Sequence, residues 1–269
     1  MIEQTLRRIE QGDFFLLAGP CAVEDEHVCL QIAQTMAELC QKHDIPYVFK
    51  ASYKKANRLS HGSFATIGVE EALRILAKVK TELNLPIITD VHETTEIKPV
   101  AQVADILQIP AFLCRQTDLV VQAAATGKWV NIKKGQFLAP DDMAKIAAKA
   151  RSDRVMLTER GTSFGYHSLV VDFRSLLIMA ESGYPVVYDA THSLQLPGGG
   201  GRVSTGQPEY VVPMARAAMA VGVNGLFVET HPDPAQARSD AGAMLPLEQM
   251  SSLLDQIMII RTARKEAQS

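Results

Sequence analysis

Short apolar runs rich in β-branched residues alternate along nearly the whole chain with amphipathic segments, and each run ends in Gly, Pro or a polar cluster. Eight such runs occur: Phe14 to Cys21, Tyr47 to Ser52, Ile87 to His92, Ile106 to Ala111, Trp129 to Lys134, Arg154 to Gly161, Val186 to His192 and Gly225 to His231. Helical spacing fills the intervals over Glu26 to His43, Gly68 to Leu83, Asp118 to Thr126, Pro140 to Ala150, Arg174 to Ser182, Pro208 to Val221 and Pro246 to Arg264, with a weaker pattern over Thr95 to Val103. Val186-Val187-Tyr188 and Leu226-Phe227-Val228 are apolar on both faces, as expected of parallel strands covered by helical crossovers. Eight units of this kind in 269 residues predict an α/β fold, a (β/α)8 TIM barrel, as a single domain over residues 1–269. An open doubly wound sheet would place a G-x-G-x-x-G turn after its first strand, and Gly19-Pro20-Cys21 stands there instead. The stretch before Asp13 reads either as a helix covering the barrel bottom or as a frayed end.

Composition narrows the class. No linker or shift in composition divides the chain, and its only low-complexity spot, Gly198 to Gly201, predicts a mobile loop after the seventh strand that could act as a lid. No run approaches the ~20 apolar residues that cross a bilayer, and Met1 to Gly12 lacks the pattern of a secretion signal, so a cytoplasmic protein is expected. Cys21, Cys29, Cys40 and Cys114 lie far apart, which suits a reducing compartment better than a disulfide framework. The net charge is −3 with no basic tract, which argues for small-molecule partners and against nucleic acid.

The strand ends are unusually polar: Cys21, Lys50, Asp90 and His92, Arg115 just past the fourth run, Lys133 and Lys134, Glu159 and Arg160, Asp189 and His192, Glu229 and His231. In a barrel these ends converge on one bowl. Singly, each Lys or Arg has an ordinary explanation as a surface charge or ion-pair partner. Together, Lys50, Lys55, Arg115, Lys133 and Arg160 predict a site whose mutual repulsion calls for bound phosphate or carboxylate. Closure also makes the first, seventh and eighth strands neighbours. Cys21, His192 and Glu229 then offer a thiolate, an imidazole and a carboxylate to a divalent metal ion of the Zn, Fe or Mn class, with Asp240 as a candidate fourth ligand. The plainer reading of Cys21 is a small buried hydrophobe.

The segments Gly19-Pro20-Cys21, Lys50-Ala51-Ser52, Lys55-Ala56-Asn57-Arg58, Ile88-Thr89-Asp90-Val91-His92, Arg115-Gln116-Thr117-Asp118, Lys133-Lys134-Gly135-Gln136-Phe137, Phe164-Gly165-Tyr166, Asp189-Ala190-Thr191-His192 and Glu229-Thr230-His231-Pro232 resemble, in order and nearly end to end, the 3-deoxy-D-manno-octulosonate 8-phosphate synthases. The resemblance implies condensation of phosphoenolpyruvate with D-arabinose 5-phosphate, on the route to the sugar acid of lipopolysaccharide. It implies that Lys50, Lys55, Lys133, Gln136 and Arg160 bind phosphoenolpyruvate. It implies that Asn57 and Arg58 hold the pentose phosphate, and that Asp90 and Ser204 contact its hydroxyl groups. Arg115 in this family reaches into a neighbouring subunit's site, which implies a homo-oligomer, usually a tetramer. Cys21, His192, Glu229 and Asp240 fall on the family's metal positions, and Cys21, where another branch has Asn, implies the metal-dependent branch. Lys55, Lys133, Asp240, His192 and Cys21 would be the catalytic set. One departure is Ser204-Thr205-Gly206-Gln207-Pro208-Glu209, where relatives often carry an Arg shortly after the Ser.

Two rivals stand beside this. The sister enzyme that uses erythrose 4-phosphate typically reads Lys-Pro-Arg-Thr-Ser where this chain has Lys55-Ala56-Asn57-Arg58-Leu59-Ser60. A non-catalytic barrel that merely binds a phosphorylated metabolite would be expected to lack members of the catalytic set, and none is missing.

Overall fold

In the computed structural model, residues 1–56, 64–198 and 205–268 are described. The eight runs form parallel strands β1 (Phe15–Gly19), β2 (Tyr47–Lys50), β3 (Ile87–Asp90), β4 (Ile106–Ile109), β5 (Trp129–Lys133), β6 (Val155–Glu159), β7 (Val186–Asp189) and β8 (Gly225–His231). They pair in sequence order, and β8 pairs with β1 from Phe15↔Gly225 to Gly19↔Glu229, closing a (β/α)8 barrel. Helices α2 (Glu26–Lys42), α3 (Val69–Leu83), α4 (Thr94–Val103), α5 (Thr117–Ala125), α6 (Asp142–Ala148), α7 (Arg174–Ala180), α8 (Val211–Val221) and α9 (Met250–Gln268) follow the strands in turn. None of the described helices is long and apolar enough to cross a membrane.

Local chemistry sets several boundaries. The Asp25 carboxylate accepts from Val28 N at 2.9 Å to start α2, and Glu93 with Glu96 forms a capping box at α4. Asn84 ends α3 in the left-handed region at φ 52°, a conformation that short amide side chains tolerate. The stretch before Asp13 is helix α1 (Ile2–Glu10). Arg8 fastens it to Asp13 at 2.6 Å and Asp44 at 2.7 Å, and it lays Ile9 against the barrel bottom.

Alternation along the strands divides the interior in two. Outward residues such as Leu16, Phe49, Leu107, Ile132, Leu157, Tyr188 and Val228 pack against the helices. Inward residues Phe15, Leu17, Val48, Ile88, Ile106, Trp129, Met156, Val187 and Phe227, with Ile9, form a separate cluster that fills the lumen. Each such side chain contributes roughly 2 kcal/mol when fully buried. Continuing the same inward parity toward the C-terminal ends brings Lys50, Asp90, Gln108, Asn131, Lys133, Thr158, Asp189 and Glu229, all buried. The barrel is thus an apolar floor beneath a polar layer. Gly19 permits the close approach of β1 and β2, since a Cβ there would meet the Lys50 carbonyl oxygen at 2.1 Å.

Three short pairings lay below the resolution of the sequence pattern: Thr162–Ser163 with Leu169–Val170, Gln195–Leu196 with Thr205–Gly206, and Leu245–Pro246 alongside the end of β8. Each is only two residues long, too short for periodicity to register.

Candidate active site

The polar layer opens into a cavity of about 380 Å³ lined by Lys50, Lys55, Asp90, His92, Lys133, Gln136, Arg160 and His192 among others. Lys50 donates to the Cys21 carbonyl at 2.9 Å and to the Glu229 carboxylate, and Lys55 lies 4.0 Å from that same carboxylate. Lys133 donates to Asp189 and stands over the Phe227 ring, 3.3 Å from its centroid. Burial holds Lys133 down to about 8 in spite of Asp189, with Lys50 and Arg160 adding to the depression. For Asp90, burial works against the charge, yet Lys55, Lys50, His92 and the Ser52 hydrogen bond outweigh it and bring the carboxyl to about 2.

These pairs correct one expectation. The cations do not stand as an unneutralised cluster, because strand alternation interleaves acids with them on the same face. Arg160 is the exception: Nη2 donates to Gln195 Oε1 at 3.0 Å, while the buried Nη1 has no partner among the described residues. The buried Gln136 Oε1 is likewise unpartnered. An anion in the cavity is the natural complement to Arg160.

A second correction concerns Lys134 and Glu159, which do not join the bowl. They lie on the other face of their strands as a buried pair at 3.5 Å, with Lys134 also donating to Thr162 Oγ1 at 3.0 Å and Glu159 accepting from Gly161 N at 2.7 Å and Ser175 Oγ at 2.6 Å. Arg115 is exposed, close in sequence to exposed Phe112, and is not among the residues lining its own chain's cavity. Asn57, Arg58 and Ser204, together with Gly199 to Gly201 of the glycine loop, lie outside the described residues.

On one flank of the cavity Cys21, Glu229 and Asp240 present ligand atoms that all lie within 4.8 Å of one another. Cys21 Sγ is 3.0 Å from Asp240 Oδ2 and 2.8 Å from Ser239 Oγ. His192 is not part of that mutual group, but its Nε2 is 3.5 Å from Glu229 Oε1. Its Nδ1 faces Asp189 at 2.8 Å, and Asp189 also accepts from Thr191 N at 3.1 Å and His192 N at 2.8 Å. A carboxylate at Nδ1 fixes the orientation of the ring and turns Nε2 toward Glu229. Burial, then Asp240 and Glu229, push the Cys21 thiol well up, while Glu229 is held well below the carboxylate range by Lys50, His192 and Lys55 against its burial. Glu229 Oε2 is buried with no hydrogen-bond partner among the described residues. A thiol and two carboxyl groups within reach of one another, with an imidazole nitrogen beside one of the carboxylates, are a donor set that fits a divalent cation.

The sequence profile of the DAHP synthetase I family matches residues 3–265. The chain belongs to that family. Within it the chain is 54% identical over 261 residues to the 2-dehydro-3-deoxyphosphooctonate aldolase of Burkholderia mallei (strain SAVP1), covering 94% of this chain and 92% of that one. It is similarly 54% identical to the 2-dehydro-3-deoxyphosphooctonate aldolase 1 of Burkholderia pseudomallei (strain K96243) and, over 263 residues, to the enzyme of the first name in Paraburkholderia xenovorans (strain LB400), with 94% of this chain covered in each case. Family membership agrees with the resemblance carried by the strand-end motifs. Sequence reasoning named Asp189 only as a strand end and gave it no role. Its inward parity on β7, three residues before His192, was the available signal. Ser239 and Gln195 carried no such signal, because nothing in the sequence fixes how their loops fold back over the bowl.

Proposed function

We infer that the chain condenses phosphoenolpyruvate with D-arabinose 5-phosphate and water to give 3-deoxy-D-manno-octulosonate 8-phosphate and inorganic phosphate. The observation that carries this is the cavity itself, in which Lys55, Lys133 and the half-partnered Arg160 face one space beside Cys21, Glu229 and Asp240. The names of relatives at 54% identity support the five-carbon acceptor over erythrose 4-phosphate. A barrel that only binds a phosphorylated metabolite has no need of the paired Lys133–Asp189–His192 arrangement.

In this reading C3 of the enol phosphate adds to the aldehyde carbon, water adds at C2, and phosphate leaves by carbon–oxygen cleavage. Lys55, Lys133, Gln136 and Arg160 hold the phosphate and carboxylate of phosphoenolpyruvate. Their fixed positions neutralise two anions that would otherwise repel, a contribution of several kcal/mol through positioning. Asp90 accepts from a hydroxyl of the aldose, and Lys50 holds Glu229 in place. A divalent ion held by Cys21, His192, Glu229 and Asp240 would supply Lewis-acid polarisation that orients the aldehyde or the water. Asn57, Arg58 and Ser204 are assigned to the aldose by their place in the family's motifs. We further read the enzyme as a cytoplasmic homotetramer in which Arg115 of one subunit serves the neighbouring bowl.

The test is phosphate release from phosphoenolpyruvate with each aldose phosphate in turn, before and after treatment with a chelator. Turnover with arabinose 5-phosphate that is lost on chelation and restored by a divalent metal is expected. Preference for erythrose 4-phosphate would overturn the substrate, and undiminished turnover after metal removal would overturn metal dependence.

A further inference from the structure

Beneath the cavity a single file of buried polar side chains crosses four strands and ends at Ser52, just past a fifth. Thr158 Oγ1 of β6 donates to Asn131 Oδ1 of β5 at 2.6 Å, and Asn131 Nδ2 donates to Gln108 Oε1 of β4 at 2.9 Å. Gln108 Nε2 then donates to Asp90 Oδ1 of β3, and Ser52 Oγ, just past β2, donates to Asp90 Oδ2. Thr158 and Asn131 are fully buried, and neither lines the cavity.

The direction of the file is forced. A carboxylate only accepts, so Gln108 must turn its amide nitrogen to Asp90 and its oxygen to Asn131. Asn131 must therefore present its nitrogen to Gln108 and its oxygen to β6, where a hydroxyl can meet it. Every dipole thus points its donor end at Asp90. At the end of the file remote from Asp90 the donor is Thr158. Without that hydroxyl Asn131 gains nothing from its orientation, and a flipped pair would set the Gln108 oxygen against the Asp90 carboxylate. None of this is needed to fill the lumen, which the apolar layer below already does.

We propose that Thr158 and Asn131 are positioning residues which, through Gln108, hold the Asp90 carboxylate as a fixed acceptor for the aldose phosphate. The inference rests on the proposed function only for the identity of the group that Asp90 meets.

Thr158→Val keeps the shape and β-branching and removes the donor, while Thr158→Ser keeps the donor. Calorimetric binding of D-arabinose 5-phosphate and of phosphoenolpyruvate to the metal-loaded enzyme, with the two Michaelis constants, is the readout. Thr158→Val is expected to weaken the aldose phosphate about fivefold, the scale of one neutral hydrogen bond, and to leave phosphoenolpyruvate unchanged. Thr158→Ser restores the wild-type value. Asn131→Leu, which breaks the file nearer Asp90, weakens the aldose phosphate further; should it fail to fold, the Thr158 pair decides alone. Because Thr158 is the register partner of Lys133, a mere packing defect would disturb phosphoenolpyruvate at least as much as the aldose. Equal effects on both ligands, no effect of Thr158→Val, or a Thr158→Ser variant that behaves like Val would overturn the inference. Wild-type enzyme that binds no arabinose 5-phosphate would instead overturn the function proposed above.

Discussion

Replacing Asp189 with Asn should expose how the Lys133 ammonium is kept charged. Asp189 is fully buried and is the partner of both Lys133 and His192 Nδ1. Burial already holds Lys133 at about 8, below its ordinary value, and Asp189 is what opposes that burial. Losing the charge on one member of a buried pair costs about 3 kcal/mol at the low end, equivalent to about two pKa units. The free-enzyme midpoint should then fall from about 8 to about 6, and kcat/KM for phosphoenolpyruvate reports the free enzyme. At pH 7.5 the protonated fraction drops from about three-quarters to about 3%, a loss of about 25-fold in kcat/KM, whereas at pH 6 the loss is about twofold. Any disturbance of His192 orientation adds a factor common to both pH values, so the ratio between them is diagnostic. Lys133→Arg is the control: a guanidinium stays charged throughout, and its alkaline limb should flatten. The assay is initial-rate phosphate release across pH 5.5–9. A defect of the same size at pH 6 and 7.5, or an alkaline limb displaced upward, would refute the reasoning.

Gly19→Ala should destabilise the fold by several kcal/mol, read as a lowered denaturant midpoint, because the new Cβ meets backbone of β2 rather than a yielding side chain. Hybrids of Arg115→Ala and Lys133→Ala subunits should regain activity that neither variant has alone, since one intact bowl can then borrow an intact Arg115 from its neighbour; hybrids as inactive as the parents would rule out sharing across subunits. The folded carboxyl of Asp90 sits at about 2, below its unfolded value of 3.8, so its stabilisation is present above pH ~4 and is lost as pH falls toward 2. Asp90 alone accounts for about 2 kcal/mol, and Asp189 and Glu229 are depressed in the same sense, so urea midpoints should fall steeply between about pH 4 and 2. A flat profile there would contradict the buried pairs.

The barrel was legible because strands buried on both faces must be continuous apolar runs, and each such run became a strand. Its ends were overread: Cys21, Ser52, His92 and Ala111 continue the run in composition, but the ladder stops at Gly19, Lys50, Asp90 and Ile109. Past those residues only scattered backbone bonds continue the pairing, such as Val23 N to the Ser52 carbonyl at 2.9 Å and Val91 N to the Gln108 carbonyl at 3.0 Å, and the regular ladder ends. Lys134 was assigned to the bowl beside Lys133 for want of a parity argument, since consecutive strand residues point to opposite faces. Convergence of Cys21 and Glu229 followed from closure alone, because Gly19↔Glu229 is where β1 and β8 meet. Ser239 beside Cys21 could not be read, because the loop carrying it has no period.

What sequence could least supply was height. Parity says which side chains enter the lumen, but strand stagger decides which of them stand level, and so which charges cancel. Lys50 meets Glu229 and Lys133 meets Asp189 because those pairs reach the same layer from strands that are not sequence neighbours. The positive residues therefore cannot be summed as unmet charge. An arriving phosphate competes with a resident carboxylate at Lys50 and Lys133, and finds at Arg160 Nη1 a donor with no partner among the described residues. Lys55, held charged by Glu229, Asp90 and Asp240 against its burial, likewise has its nearest carboxylate among the described residues standing off, at 4.0 Å. The first attraction for anions thus rests on Arg160 and Lys55, Lys133 joins them as substrate competes with Asp189, and the Lys50 and Lys133 pairs keep the layer neutral enough to fold before any substrate arrives.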